Sequence, residues 1–140
     1  MEGYADKNAF KVFFLDVGLL AAMSKIQPQV IIEGHDLFAE FNGALTENYA
    51  AQELMPLYKE LYYWTSEGTA EVDFVVAYNS QIYPLEVKAG VSRRKKSLLS
   101  YDNKYAPALL GRSSLMNLAK NGKIANYPLY LIHRFPTLAG

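Results

Sequence analysis

The sequence predicts an α/β domain, a mixed central sheet covered by helices. Three observations carry this. The 140 residues are 51% hydrophobic and 14% aromatic, enough for one domain with a real core and too apolar for disorder. The elements read as helices, then three strand-like runs, then a helix, then further strands, an order that sets helices against the faces of a sheet. The middle runs are joined by Asn79-Ser80, a hairpin signal. The chain has no cysteine, which excludes a disulfide scaffold, a cysteine nucleophile and a zinc-thiolate site. No apolar run approaches the roughly 18 residues of a membrane helix, and Glu2 and Asp6 stand where a secretory leader would be basic. A cytoplasmic domain with no membrane partner is the expectation.

Residues 1–10 are polar and read as disordered, and 11–140 as a single domain. Lys11 to Leu15 reads as a short strand or extended segment. Asp16 reads as the N-cap of a helix from Val17 to about Lys25, with Pro28 marking its stop. After a connection over 26–36, a longer helix is expected from about Leu37 to Tyr58, its last turn cut by Pro56. Strands are expected over Glu60–Ser66, Glu71–Tyr78 and Gln81–Lys88. A helix is expected over Ser97–Tyr105, a strand over Pro107–Leu110, a helix over Ser113–Lys120 and a last strand over Tyr127–His133.

Charge is unevenly placed. The formal net charge is zero, yet residues 1–87 hold 13 acids against 4 bases, and residues 88–140 hold 10 bases against Asp102 alone. That split predicts either a basic face for a polyanion or two halves that interleave and neutralise each other.

The acids fall where a metal site needs them. Glu86 and Lys88 are two apart on a strand, so they share a face, with Leu85 and Val87 on the other. If the second and third strands pair, Asp73 comes near Glu86. Carboxylate oxygens gathered this way suit Mg²⁺, and a lysine beside them offsets charge developing on a phosphate. Glu47 lies on an otherwise apolar helical stripe with Gly43, Ala50 and Leu54. The plainer reading makes Glu86 and Lys88 an ion pair on an exposed strand, Asp73 a turn residue and Glu47 a solvated one. Arg93, Arg94, Lys95 and Lys96 form a basic run, with Ser92 as a possible helix cap. The run would grip backbone phosphates or remain a solvated helix start. His35 and His133 have no metal-ligand spacing, and Tyr62, Tyr63 and Trp64 read as packing residues.

The runs Gly43-Ala-Leu-Thr-Glu47-Asn-Tyr-Ala-Ala-Gln-Glu53-Leu, Glu71-Val-Asp73-Phe and Tyr83-Pro-Leu-Glu86-Val-Lys88-Ala-Gly resemble the DUF4143 domain, as does the upstream Phe14-Leu-Asp16-Val-Gly18-Leu-Leu. That domain usually forms the C-terminal part of prokaryotic AAA-type ATPases and is similar to the PD-(D/E)xK restriction-endonuclease-like fold. The resemblance implies a nuclease-like site with Glu47, Asp73, Glu86 and Lys88 in the catalytic positions. Asp73, Glu86 and the Val87 carbonyl would hold Mg²⁺ or Mn²⁺. Val72 stands where the wider superfamily has proline. The resemblance also implies an ATPase part in a longer parent chain, and residues 1–10 as a remnant of truncation. No P-loop is present, so no nucleotide site is expected here. The leading expectation is a Mg²⁺-dependent nuclease-like domain acting on nucleic acid. The alternative is a non-catalytic nucleic-acid or protein coupling module of the parent ATPase. Tyr and Phe exposed by truncation would favour homo-oligomers.

Overall fold

A six-stranded mixed sheet organises the chain, with strand order β1-β2-β3-β4-β6-β5. The computed structural model describes residues 1–29, 36–91 and 94–138. The strands are β1 (Tyr62–Thr65), β2 (Glu71–Tyr78), β3 (Gln81–Val87), β4 (Leu110–Ser114), β5 (Ala119–Asn121) and β6 (Ile124–Pro128). The helices are α1 (Val17–Met23), α2 (Asp36–Leu54) and α3 (Lys96–Tyr105). This is the expected α/β class.

Local chemistry explains the first half. Asp16 caps α1, its Oδ1 accepting from Leu19 N at 3.1 Å. The α2 helix ends at Leu54, one residue ahead of the turn that leads into Pro56. The β2–β3 hairpin turns at Asn79 and Ser80, both with positive φ (48° and 63°), the conformation that tight hairpins require. β1 pairs with β2 through Tyr62↔Val75 and Trp64↔Val72, a step of two residues against three. The extra residue on β2 is a bulge, which bends the strand and re-aims side chains.

The core has two parts, one on each face. Phe74, Val76, Leu85, Val87 and Tyr127 pack with Ala50, Ala51 and Leu54 of α2 and with Ile132 and Phe135. On the other face Val72, Val75 and Leu110 pack with Leu98 and Tyr101 of α3. Trp64 meets Tyr101 edge-on at 5.4 Å, and Tyr62 packs on the same cluster, the packing role expected of these two residues. Gly111 is small for a reason: a Cβ there would overlap the Phe135 ring and press on Leu85.

Several elements depart from expectation. Of the two readings of Lys11–Leu15 the strand fails, since the segment joins no sheet; it is a strap held by Asn48, whose side chain accepts from Phe14 N (2.8 Å) and donates to Phe14 O (3.2 Å). The strand predicted over Pro107–Leu110 begins only at Leu110, because Ala106 closes α3 in a left-handed conformation (φ 43°) and Pro107 brings no N–H. Ser113–Lys120 is no helix. Ser113 and Ser114 end β4, with their hydroxyls on Tyr127 O and Asn126 Oδ1. The last strand stops at Pro128, and Leu129–Arg134 is a 3-10 helix that leaves His133 exposed. The strap and β4 are fixed by distant partners, which no local pattern announces.

Candidate functional site

Strand β3 carries the centre of the site. Leu85 and Val87 face the α2 side of the core, so Glu86 takes the opposite face. Glu86 is buried at 4% exposure, which overturns the reading of an exposed strand pair. Its Oε1 pairs with Lys88 Nζ at 2.9 Å. Its Oε2 is buried and has no hydrogen-bond partner among the described residues. Lys88 is fixed at the strand end by its N–H, which donates to Ser113 O at 2.8 Å. Asp73 reaches across from β2, its Oδ2 accepting from Val87 N at 2.7 Å. Burial pushes the Asp73 carboxyl up to about 6, helped by the charge of Glu47. The Val87 N–H and the ammonium groups of Lys11 and Lys88 oppose that rise.

Glu47 is half-buried on α2 and is paired with Lys11, Nζ to Oε1 at 2.7 Å. Lys11 also pairs with Glu71 and stands 5.0 Å from the Tyr63 ring centroid. Burial works against the Lys11 charge, but its hydrogen bonds to Glu47 and Glu71 outweigh it and raise its pKa. The four predicted residues therefore stand as two linked groups: Glu86 is bound to Lys88, and Glu47 is bound to Lys11. Asp73 lies between them, in the field of Glu47, Lys11 and Lys88. Among the described residues no group of three or more His, Cys, Asp or Glu stands close enough to hold a metal ion. A groove of about 1010 Å³ between the strap and β1 has Lys11 and Asp73 in its wall.

The basic run lies where β3 leads into α3. Arg94, Lys95 and Lys96 are exposed, while Ser92 and Arg93 lie outside the described residues. Lys95 occupies the helix cap position and makes no capping side-chain bond. His35 also lies outside the described residues. Described ion pairs stay within each charge half (Lys11 with Glu47 and Glu71, Lys123 with Asp102) or sit at their boundary (Glu86 with Lys88).

The scan against protein families matches residues 42–131 to the domain of unknown function DUF4143. The chain belongs to the DUF4143 family. No curated protein and no solved structure matches it. The DUF4143 match contains Glu47, Asp73, Glu86, Lys88 and the basic run, whereas Lys11 lies outside it. No helix among the described residues is long and apolar enough to cross a membrane.

Two residues of this chain were not legible as site residues. Lys11 reads in sequence as one of four scattered bases. Arg112 falls between the strand expected to end at Leu110 and the helix expected to start at Ser113, yet it lies in β4 directly beside Glu86 in the parallel ladder. Only the register reveals that neighbour. A sequence signal existed for β6, because Asn121-Gly122 is a hairpin dipeptide, and Gly122 turns there with φ 60°.

Proposed function

We propose that this DUF4143 domain carries a Mg²⁺- or Mn²⁺-dependent phosphodiesterase site acting on nucleic acid. The observation that carries the reading is Glu86 Oε2, a buried carboxylate oxygen without a partner among the described residues, one residue from the N–H that holds Asp73. A buried acceptor left unsatisfied is costly, and a hard cation suits it. The donor set fits Mg²⁺, which is usually held by one or two carboxylates with water and phosphate oxygens completing the shell.

Asp73 and Glu86 would hold the ion, with the Val87 carbonyl beside them. The bound ion would supply Lewis acidity toward a phosphate and a more acidic water. Lys88 fixes the Glu86 carboxylate through their ion pair and sets an ammonium near the reacting phosphate, where negative charge grows. Glu47 acts at longer range, through Lys11 and through its field on Asp73. Arg94, Lys95 and Lys96, together with Arg93, would hold backbone phosphates. The resemblance of the Glu71-Val-Asp73-Phe and Glu86-Val-Lys88 runs to PD-(D/E)xK motifs implies the same assignment.

Mn²⁺ calorimetry on the wild type beside Asp73→Asn tests this. One ion per chain, lost in the variant, is the expected result. Absence of binding in the wild type would overturn the metal site. A second reading then leads: a non-catalytic module coupling nucleic acid or protein to an ATPase part of a longer chain. It is favoured by Lys11, which already neutralises Glu47 and Glu71. It predicts salt-sensitive oligonucleotide binding that persists in chelator and is lost when the Arg93–Lys96 run is neutralised.

A further inference from the structure

We propose that Arg112 is a phosphate-holding residue at the carboxyl ends of β3, β4 and β6. The inference rests on the reading of the Glu86–Lys88 end of β3 as a phosphodiester site, and it names the group that holds the substrate's phosphate oxygen there.

The parallel ladder sets Glu86, Arg112 and Asn126 side by side. Residues in register across a sheet share a face, so all three point to the α3 side. Further back on that face, Val75 and Leu110 are closed over by Leu98 and Tyr101. Toward the strand ends the apolar cover gives way to Glu86, Lys88, Arg112, Ser114 and Asn126. This is the end of a parallel sheet at which α/β proteins receive ligands.

Arg112 is 8% exposed. A guanidinium keeps its charge at any ordinary pH and offers five N–H donors. Among the described residues only Nε has a hydrogen-bond partner, Asn126 Oδ1, at 3.3 Å. That oxygen is already taken by Ser114 Oγ at the much shorter 2.6 Å. Asn126 is itself fixed by two donations, to Met116 O (2.9 Å) and Asn117 O (3.0 Å), so it cannot turn to serve the arginine better. Arg112 makes no ion pair among the described residues: its nearest acid in register, Glu86, has its ion pair with Lys88. A charge taken so far out of water ordinarily has a counter-ion. An oxyanion with several acceptor oxygens, in planar two-point contact with the guanidinium, is the ligand whose chemistry matches. A phosphate on Arg112 would also meet the Lys88 ammonium, on the same face.

Inorganic phosphate is the first probe. Thermal unfolding is followed in chelator, in phosphate and in chloride at equal ionic strength. At about ten times its Kd, phosphate should raise the wild-type Tm by roughly 3–5 °C. Arg112→Met should unfold at or above the wild-type temperature in chloride, since it removes an unmatched buried charge, and should lose the phosphate shift. Arg112→Lys should keep part of it. A short oligothymidylate is the second probe. Weakening of its binding about ten-fold in Arg112→Met assigns the site to a nucleic-acid phosphate, and a response to inorganic phosphate alone assigns it to a free phosphate. A wild-type Tm indifferent to both probes overturns the proposal. So does an Arg112→Met variant that unfolds well below the wild type while Arg112→Lys responds to neither probe, which would make the guanidinium a structural group. Mn²⁺ calorimetry on the same proteins separates the two readings. An Arg112-dependent phosphate shift without Mn²⁺ binding keeps this site and removes the metal. Mn²⁺ binding without the shift does the reverse.

Discussion

Lys11 and Arg112 are both cations placed near acids, and their surroundings differ. Lys11 contacts two carboxylates, Glu47 and Glu71, and an aromatic face, Tyr63. Arg112 has, among the described residues, a single long hydrogen bond to an amide oxygen that serves a better donor. The acids differ in the same sense. Glu47 is matched, while Glu86 keeps one buried oxygen without a partner among the described residues. Folding has balanced the charges under the strap and left those at the ends of the parallel strands short. A matched group stabilises the fold; a short one has capacity left for a ligand.

The largest effect that would break this comparison is at Glu86. Glu86→Gln keeps the shape and should lower Mn²⁺ affinity by at least about 100-fold, with Tm within a few degrees of wild type. Unchanged binding by calorimetry would place the metal elsewhere or nowhere. On the strap side the effect should be on stability instead. Asn48→Ala removes two hydrogen bonds to the Phe14 backbone at a buried side chain. It should cost about 2–3 kcal/mol in urea unfolding and leave Mn²⁺ binding near wild type.

Asp73 tests the boundary between the two regions. Its folded pKa of about 6 lies above its ordinary value of 3.8, so the folded state holds the proton more tightly. Metal-free stability should therefore fall as pH rises from about 4 through about 6, by an amount on the order of 2 kcal/mol. Asp73→Asn should flatten that slope in urea unfolding at the two ends of the range. The smallest effect is at Lys11. Lys11→Met should cost about 1 kcal/mol, since its ion pairs are half-exposed. It should also raise Mn²⁺ affinity a few-fold by leaving Glu47 without its ammonium. A fall in affinity would show that Lys11 supports the ion rather than competes with it.

The parts legible in the sequence are those whose causes are local. Asp16 and Leu19 are three residues apart, and Asn79-Ser80 joins two strands that pair with each other directly. Glu86 and Lys88 were legible as a pair for the same reason, because strand period alone puts them on one face. The strap and β4 were not, because their partners are distant. Phe14 is held by Asn48, and Arg112 sits in register between Glu86 and Asn126. Ser113, Ser114 and Asn126 are polar residues in a buried sheet, so no alternation of apolar and polar positions marks them as strand. The burial of Glu86 depends on β4 lying beside it, which spacing along β3 could not reveal.

Gly111 and Phe135 bear on where this domain may be cut. The family match stops at residue 131, but the ring that fills the space above Gly111 belongs to Phe135. The Phe135 carbonyl also receives the Tyr58 hydroxyl at 2.5 Å, tying the tail to the segment that follows α2. A recombinant boundary drawn at the edge of the recognisable region would remove the stopper and leave a hole against the middle of the sheet. The unit that folds extends at least four residues past the unit that is recognised.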